Sequence, residues 1–195
     1  SDLSPSDISC VFIHHTTYRR SVLAHHHQTE GISYTDIEWT VIPTRYVNSI
    51  SYFPRPLYNY ILSREGQTVN PSVHARNMHM ERDVIMNVIS DYLSYNDFSG
   101  NVQNSFAKDK ILALTKQLYQ YYLLTLNKFT DINELIAFDG FISASSQDLY
   151  DITGKFSIEK SFYTFPYVKS FRRKQSRKGL SFFLYDLYRD YSSRK

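Results

Sequence analysis

Residues 106–129 read FAKDKILALTKQLYQYYLLTLNKF, and this stretch carries the strongest structural signal in the chain because it contains neither glycine nor proline. Its large apolar and aromatic side chains recur every three or four residues, which is the spacing of one side of an α-helix. The stripe comprises Ile111, Leu114, Leu118, Tyr121, Tyr122 and Thr125. We therefore predict one long amphipathic helix here.

Several short runs rich in β-branched and aromatic residues predict strands on either side of this helix. These runs are residues 10–13, 36–42, 84–89 and 132–138, with 58–62 as an edge strand. A short helix is predicted over residues 21–28, with Gly31 as the glycine that closes it. Because strands alternate with helices, we expect an α/β domain in which a mixed central sheet is flanked by helices.

The composition is that of a globular chain with a sizeable core. Apolar residues make up 42% of the 195 residues, which excludes a wholly disordered or fibrous protein. No run approaches the roughly 18 apolar residues of a membrane span, so we expect no transmembrane segment. Residues 1–5 show neither a basic end nor an apolar run, so we expect no secretory signal. The single cysteine, Cys10, excludes an intramolecular disulfide and a multi-thiolate zinc site.

The charge is distributed unevenly along the chain. Residues 169–195 hold nine Lys or Arg and two Asp, whereas residues 1–168 hold thirteen basic and seventeen acidic residues. The two segments therefore carry +7 and −4, which together give the net charge of +3. We predict a mildly acidic main domain over residues 1–165 and a basic, aromatic extension over residues 166–195.

The extension combines a basic cluster with an amphipathic helix. Large apolar side chains recur at helical spacing after Gly179, and this stripe is too apolar to be left in water. It packs back on the domain, docks into the groove of a partner protein, or binds a membrane surface. The candidate interaction residues are Lys169, Arg172, Arg173, Lys174, Phe183, Leu184, Leu187 and Tyr188.

The histidines are the candidate metal ligands, because a neutral imidazole is the commonest zinc ligand in proteins. His14 ends the first predicted strand and is the principal candidate. The triplet at residues 25–27 splays around a predicted surface helix, so its three rings cannot all face one metal ion. His74 lies further along the chain.

The order of these pieces resembles that of the zinc-dependent N-acetylmuramoyl-L-alanine amidases, which share the phage lysozyme-amidase and peptidoglycan-recognition-protein fold. The run Val11-Phe12-Ile13-His14 resembles their first strand, whose closing histidine binds zinc, and residues 36–42 stand at the place of a later strand. Val73-His74-Ala75 resembles a Ser-His-Ala segment, and residues 106–129 resemble the long helix before the last strand. The resemblance covers roughly residues 8–155 and implies the amidase fold.

Two positions depart from the pattern that this resemblance implies. Phe138 stands where the family has its second zinc histidine, and a phenyl ring has no lone pair for a metal. Trp39 stands where the family has its catalytic tyrosine and lacks the hydroxyl. A third ligand is expected near Asp148 or Asp151, but the Pro-Gly context is missing. A catalytic zinc needs three protein ligands and an open position, so zinc activation of water is not supported.

We therefore expect a catalytically degraded amidase-like domain that serves as a structural or assembly component of a phage particle or tail. It would be made in the cytoplasm, become part of the virion, contact other protein subunits, bind peptidoglycan weakly and need no cofactor. One alternative is an active zinc amidase in which His14 is joined by His74 or Asp151. A second alternative is a nucleic-acid-binding module that uses residues 169–178.

Overall fold

The computed structural model describes residues 13–24, 26–51, 53, 55, 58–59, 61, 71–99, 105–127, 130–160 and 163–192. The chain divides into two compact units, Ser1–Leu114 and Thr115–Lys195. The predicted division at residue 165 stays a prediction.

The described residues form a predominantly helical protein, so the predicted α/β fold with a mixed central sheet is wrong. Within these residues the sheet consists of two short antiparallel strands, β1 (Ile158–Lys160) and β2 (Tyr163–Phe165). Ile158 pairs with Phe165 in this hairpin. Two strands of three residues cannot form the central layer of a domain.

The first unit contains three helices in its described part. They are α1 (Arg20–Leu23), α2 (Asp36–Val41) and α3 (Pro71–Leu93), accompanied by single 3₁₀ turns at Ile13–His15 and Ile42–Tyr46. A fourth helix, α4 (Ser105–Gln120), begins in this unit and continues past Leu114 into the second. α2 packs against α3, and the apolar side chains buried in this unit include Ile37, Val41, Met78, Val84, Ile85, Val88, Ile89 and Tyr92.

The second unit is built around the end of α4, which continues as one π-helical turn over Tyr121–Thr125. The helix predicted for residues 106–129 is thus confirmed from Ser105 to Thr125. The remaining described helices are α5 (Ile132–Ser145), α6 (Gln147–Gly154), α7 (Tyr167–Lys174) and α8 (Leu180–Ser192). The helix predicted for the C-terminal extension is confirmed as α8.

The predicted strand at residues 84–89 is wrong because this run lies inside α3. Val84, Ile85, Val88 and Ile89 are buried, whereas Asn87 is exposed, which is the pattern of one helix face. A short apolar run cannot be assigned to a strand or a helix by its own periodicity. The flanking residues decide, because no glycine or proline follows Pro71 until after Leu93 and proline is favoured in the first turn of a helix.

The predicted strand at residues 132–138 is also wrong, and the sequence contains the signal that was missed. Asp131 caps α5: its side chain accepts a hydrogen bond from the backbone N–H of Asn133 at 2.9 Å. An acidic cap followed three residues later by Glu134 is typical of a helix start. The buried side chains of α5 then follow helical spacing, at Leu135, Phe138, Asp139 and Ile142.

The alternation over residues 36–42 predicted a strand, but these residues form α2 and the start of the following 3₁₀ turn. Glu38 is buried there because its carboxylate accepts hydrogen bonds from the backbone and the hydroxyl of Thr29, at 2.8 and 2.7 Å. Glu38 also lies in the first turn of α2, where the helix dipole favours a negative charge.

The other predicted elements near the N-terminus differ from the structure. Ile13 begins a 3₁₀ turn rather than ending a strand, and residues 10–12 lie outside the described residues. The helix predicted for residues 21–28 ends at Leu23, although Gly31 does adopt a positive φ of 77°. The described residues of the predicted edge strand, 58–59 and 61, do not form a strand.

Candidate interaction surface

The C-terminal helix α8 is fixed in the second unit by one of its faces. Phe182 is 2% exposed, and its ring meets that of Phe165 edge-on at 5.2 Å between centroids. The ring of Tyr185, one turn further along α8, lies 5.5 Å from the same Phe165 ring. Aromatic pairs at these distances are favourable beyond the area that they bury, so this face of α8 is the packed one.

Two arginines and an aspartate fasten α8 to the end of the π turn. Arg177 donates a hydrogen bond to the carbonyl of Leu123 at 2.5 Å, and Arg189 donates to the carbonyl of Leu124 at 2.9 Å. The last carbonyls of a helix have no donors within the helix and carry its negative partial charge, so arginines suit this position. Asp186 bridges both arginines, at 2.6 Å to Arg177 and 3.3 Å to Arg189.

The opposite face of α8 is apolar and directed outward. Phe183, Leu184 and Leu187 are 59%, 50% and 52% exposed. They stand at positions i, i+1 and i+4 of α8, which at about 3.6 residues per turn fall within an arc of about 100°, so they share one side of the helix. We call these three residues the outer face of α8. The side chain of Tyr188, which the sequence placed with them, lies outside the described part of the structure.

Four cationic side chains precede this face. Lys169 and Arg173 lie one helical turn apart on α7, Lys174 ends α7, and Lys178 lies in the connection to α8. All four are exposed, and among the described residues none of them has a carboxylate within ion-pair distance. We call these four residues the cationic cluster. Of the basic residues predicted from the sequence to contact a partner, Lys169, Arg173 and Lys174 are thus exposed at the surface.

Arg172, also predicted from the sequence as an interaction residue, lies in the second unit with a side chain that is only 10% exposed. Its Nε donates to a carboxylate oxygen of Asp139 at 2.8 Å, and its guanidinium also donates to the hydroxyl of Thr153 at 2.8 Å and the carbonyl of Tyr150 at 2.6 Å. The guanidinium stacks over the ring of Tyr150, 3.5 Å from the centroid. The hydroxyl of Tyr119 donates to the same Asp139 carboxylate. Arg172 is therefore occupied in holding α5, α6 and α7 together.

Tyr119 remains a hydrogen-bond donor in this network. Burial raises the pKa of the Tyr119 phenol well above its ordinary value of 10.0, and the adjacent charge of Asp139 is the second cause. The phenol is therefore protonated at neutral pH and keeps its hydrogen bond to the carboxylate.

The candidate zinc ligands are each engaged elsewhere. The ring of His14 stacks on that of Tyr58, with centroids 5.1 Å apart. Nε2 of His74 lies 2.6 Å from a carboxylate oxygen of Glu81 on the same helix, α3. Asp151 belongs to the second unit, is exposed on α6 and accepts a hydrogen bond from Gln147 at 2.9 Å. Among the described residues, no group of three or more His, Cys, Asp or Glu side chains could hold a metal ion.

The two positions interpreted as degraded catalytic residues are packing residues. Phe138 is completely buried in α5, with its ring 5.8 Å from that of Tyr119. Trp39 lies in α2, where its ring contacts those of Tyr18 and His26 at 5.7 and 6.3 Å. Both residues therefore stand in helices rather than at strand ends, and the described residues do not fit a zinc site.

The environment of His26 predicts a pH-dependent stability. Burial lowers the pKa of His26 below its ordinary value of 6.5, while the carboxylates of Glu38 and Asp91 act to raise it and His27 acts to lower it. The folded state therefore binds fewer protons than the unfolded state as the pH falls through about 6.5. The contribution of His26 to stability is accordingly present above that pH and is lost on acidification.

We expect His26→Phe, which keeps a ring against Trp39, to reduce the loss of stability between about pH 7.5 and about pH 5.5. Urea unfolding of the variant and of the wild type at both pH values measures this. Desolvation raises the pKa values of Asp36 and Asp91, which acts in the opposite sense, mainly at lower pH, and is common to both proteins. A slope that His26→Phe leaves unchanged would contradict this assignment.

The sequence contained signals for the fastening of α8 that were missed. Arg177 and Asp186 have opposite charges on either side of the start of α8, and Asp186 and Arg189 have the spacing of an intrahelical pair. The outward direction of Phe183, Leu184 and Leu187 had no such signal, because it depends on which face of α8 meets Phe165.

Among the described residues, no helix is both long and apolar enough to cross a bilayer. Comparison of the chain with protein-family models, with curated proteins and with solved structures finds no match.

Proposed function

We propose that this protein is a structural attachment component, held to a larger assembly by the outer face of α8. The observation that carries the proposal is the direction of this face. Phe183, Leu184 and Leu187 are each at least half exposed on a helix whose other side is fastened by Phe182 and by Asp186 with its two arginines. Exposed apolar side chains that form one contiguous patch mark interaction sites, whereas single scattered ones are ordinary.

The fastening supports attachment rather than a loosely packed end of the chain. A helix held by two arginines and by aromatic packing cannot rotate to bury its outer face without losing these contacts. Covering the exposed part of each of the three side chains contributes about 1 kcal/mol, so the face has a substantial free energy to gain from a partner. Helix-in-groove recognition uses residues at this spacing.

If the outer face of α8 attaches the protein, the triple variant Phe183→Gln, Leu184→Gln and Leu187→Gln should lose this attachment. In extracts of cells that produce the protein, we expect the wild type in the large-assembly fraction and the triple variant at least about tenfold depleted from it. Glutamine is a good helix former, so α8 is expected to persist, which circular dichroism checks. Density-gradient fractionation followed by quantitative blotting measures the distribution.

The chain offers a matched control in the first unit. Ile50, Phe53 and Ile61 are 67%, 60% and 62% exposed, and their replacement by glutamine removes a similar apolar area. This control variant should remain in the large-assembly fraction. Equal loss of both variants, or retention of the α8 variant, would contradict the proposal.

The proposal does not include amidase activity. The amidase site residues were assigned on the expectation of the amidase fold, and the described residues do not form that fold. A phage particle as the assembly, a place in the virion and weak binding of peptidoglycan follow only from that resemblance and stay predictions.

A further inference from the structure

The cationic cluster precedes α8 in the chain, and Lys174 and Lys178 are its members nearest to the start of this helix. Lys174 and Lys178 flank the connection between α7 and α8, and a Cβ placed on Gly179 would lie only 3.2 Å from Nζ of Lys174. The Lys174 ammonium group therefore stands beside the start of α8. Gly179 has a φ of 138°, a backbone conformation that glycine adopts most readily. Because glycine has no side chain, it also leaves room for the Lys174 ammonium group.

These cations have no local compensation in the described residues. The first turn of α8 carries no acidic residue, although the positive end of a helix dipole favours one. Asp186, the nearest carboxylate along the described part of α8, is shared by Arg177 and Arg189. The surface before α8 is therefore positive, and a negatively charged partner would relieve it.

We propose that the outer face of α8 and the cationic cluster bind an anionic lipid bilayer. This inference rests on the proposed attachment and names the surface to which the protein attaches. Cations pair with lipid headgroups while Phe183, Leu184 and Leu187 enter the boundary of the acyl chains, so one partner satisfies both parts of the surface. α8 has 13 residues, about 20 Å in length, so it lies along the interface and does not span it.

Charge and shape favour this occupant over the others. A second copy of the chain would bring two cationic clusters together, which is repulsive. A nucleic acid would pair with the cations and stack on Phe183, but it would leave Leu184 and Leu187 in water. A bilayer interface takes aliphatic and aromatic side chains together with cations, without needing a complementary groove.

The test uses the full chain with vesicles of phosphatidylcholine alone and of phosphatidylcholine containing about 30% phosphatidylglycerol. We expect co-sedimentation with the anionic vesicles to exceed that with the neutral ones by at least about tenfold at about 0.1 M salt. Binding should weaken strongly at about 0.5 M salt, where the screening length is short.

Two variants separate the contributions. Each cation near an anionic surface strengthens partition about fivefold, so replacing Lys169, Arg173, Lys174 and Lys178 by glutamine should lower it about 600-fold. The α8 triple glutamine variant should also lose binding. The matched control replaces Lys116 and Lys155, which are exposed in the same unit, and should bind as the wild type does.

The outcomes distinguish the inference from the proposed function. If the wild type does not prefer anionic vesicles, or the cationic variant binds them normally, the bilayer inference is wrong. If either of these results is obtained while the α8 triple variant is still depleted from the large-assembly fraction, the proposed attachment is correct and its partner is a protein. If the α8 variant stays in that fraction, both proposals are wrong. Tighter binding to a single-stranded oligonucleotide than to vesicles, lost in the cationic variant alone, would also overturn the inference.

Discussion

Replacement of Asp139 by alanine is expected to lower the free energy of unfolding by about 3–5 kcal/mol, the typical cost of removing one partner from a buried ion pair. The side chains of Asp139 and Arg172 are only 5% and 10% exposed and lie 2.8 Å apart. Without the carboxylate, the guanidinium stays buried beside Tyr150 and Thr153 with no compensating charge. The hydroxyl of Tyr119 loses its acceptor as well.

Urea unfolding at neutral pH measures this loss. Asp151→Ala is the matched control, because Asp151 is exposed on α6 and its replacement should change stability by no more than about 0.5 kcal/mol. The double variant Asp139→Leu with Arg172→Met removes both charges and is expected to recover much of the stability. If Asp139→Ala costs no more than Asp151→Ala, the network does not hold the second unit together.

The second large effect is expected for Phe138→His, which places a histidine where the amidase resemblance expected a zinc ligand. Phe138 is completely buried against Tyr119, so the substitution removes core packing and buries a polar ring without a designed partner. We expect a loss of about 3 kcal/mol or more and no gain in zinc binding.

Urea unfolding and equilibrium dialysis against zinc test the two parts of this expectation. Phe141→His, at a half-buried position of the same helix, should cost less than about 1.5 kcal/mol. Stoichiometric zinc bound by the Phe138 variant but not by the wild type would restore the interpretation of this position as a lost ligand.

The helices α4 and α8 were predictable, whereas α3, the longest helix, and α5 were not. α4 and the π-helical turn that follows it carry a stripe that recurs over several turns, from Ile111 to Thr125, and a pattern of this length predicts a helix. The runs at residues 84–89 and 132–138 are too short to show helical spacing, and their β-branched residues suggested strands. Packing against neighbouring helices outweighs such intrinsic preferences. Pro71 before the first run and Asp131 before the second are helix-start signals, and they indicate a helix for each run.

The candidate surface was predictable in its composition but not in its geometry. The basic cluster and the apolar stripe of α8 follow from the sequence, because charge and helical spacing are local properties. Arg172 and Arg177 belong to the same run as Lys174, yet they turn inward to Asp139 and to Asp186. No local pattern marks Asp139 as the partner of Arg172, since the two residues lie 33 positions apart.

The amino-acid sequence by itself determined where α4 and α8 form and that the C-terminal segment carries both positive charge and an apolar stripe, because these depend on neighbours within a few residues. Only the tertiary structure decided that the short apolar runs are helical and that Phe182 faces inward while Phe183, Leu184 and Leu187 face outward. The physical reason is that a helix with apolar side chains on more than one side can pack against the core with any of these sides. The contacts of Phe165 and of the Leu123 and Leu124 carbonyls select the side.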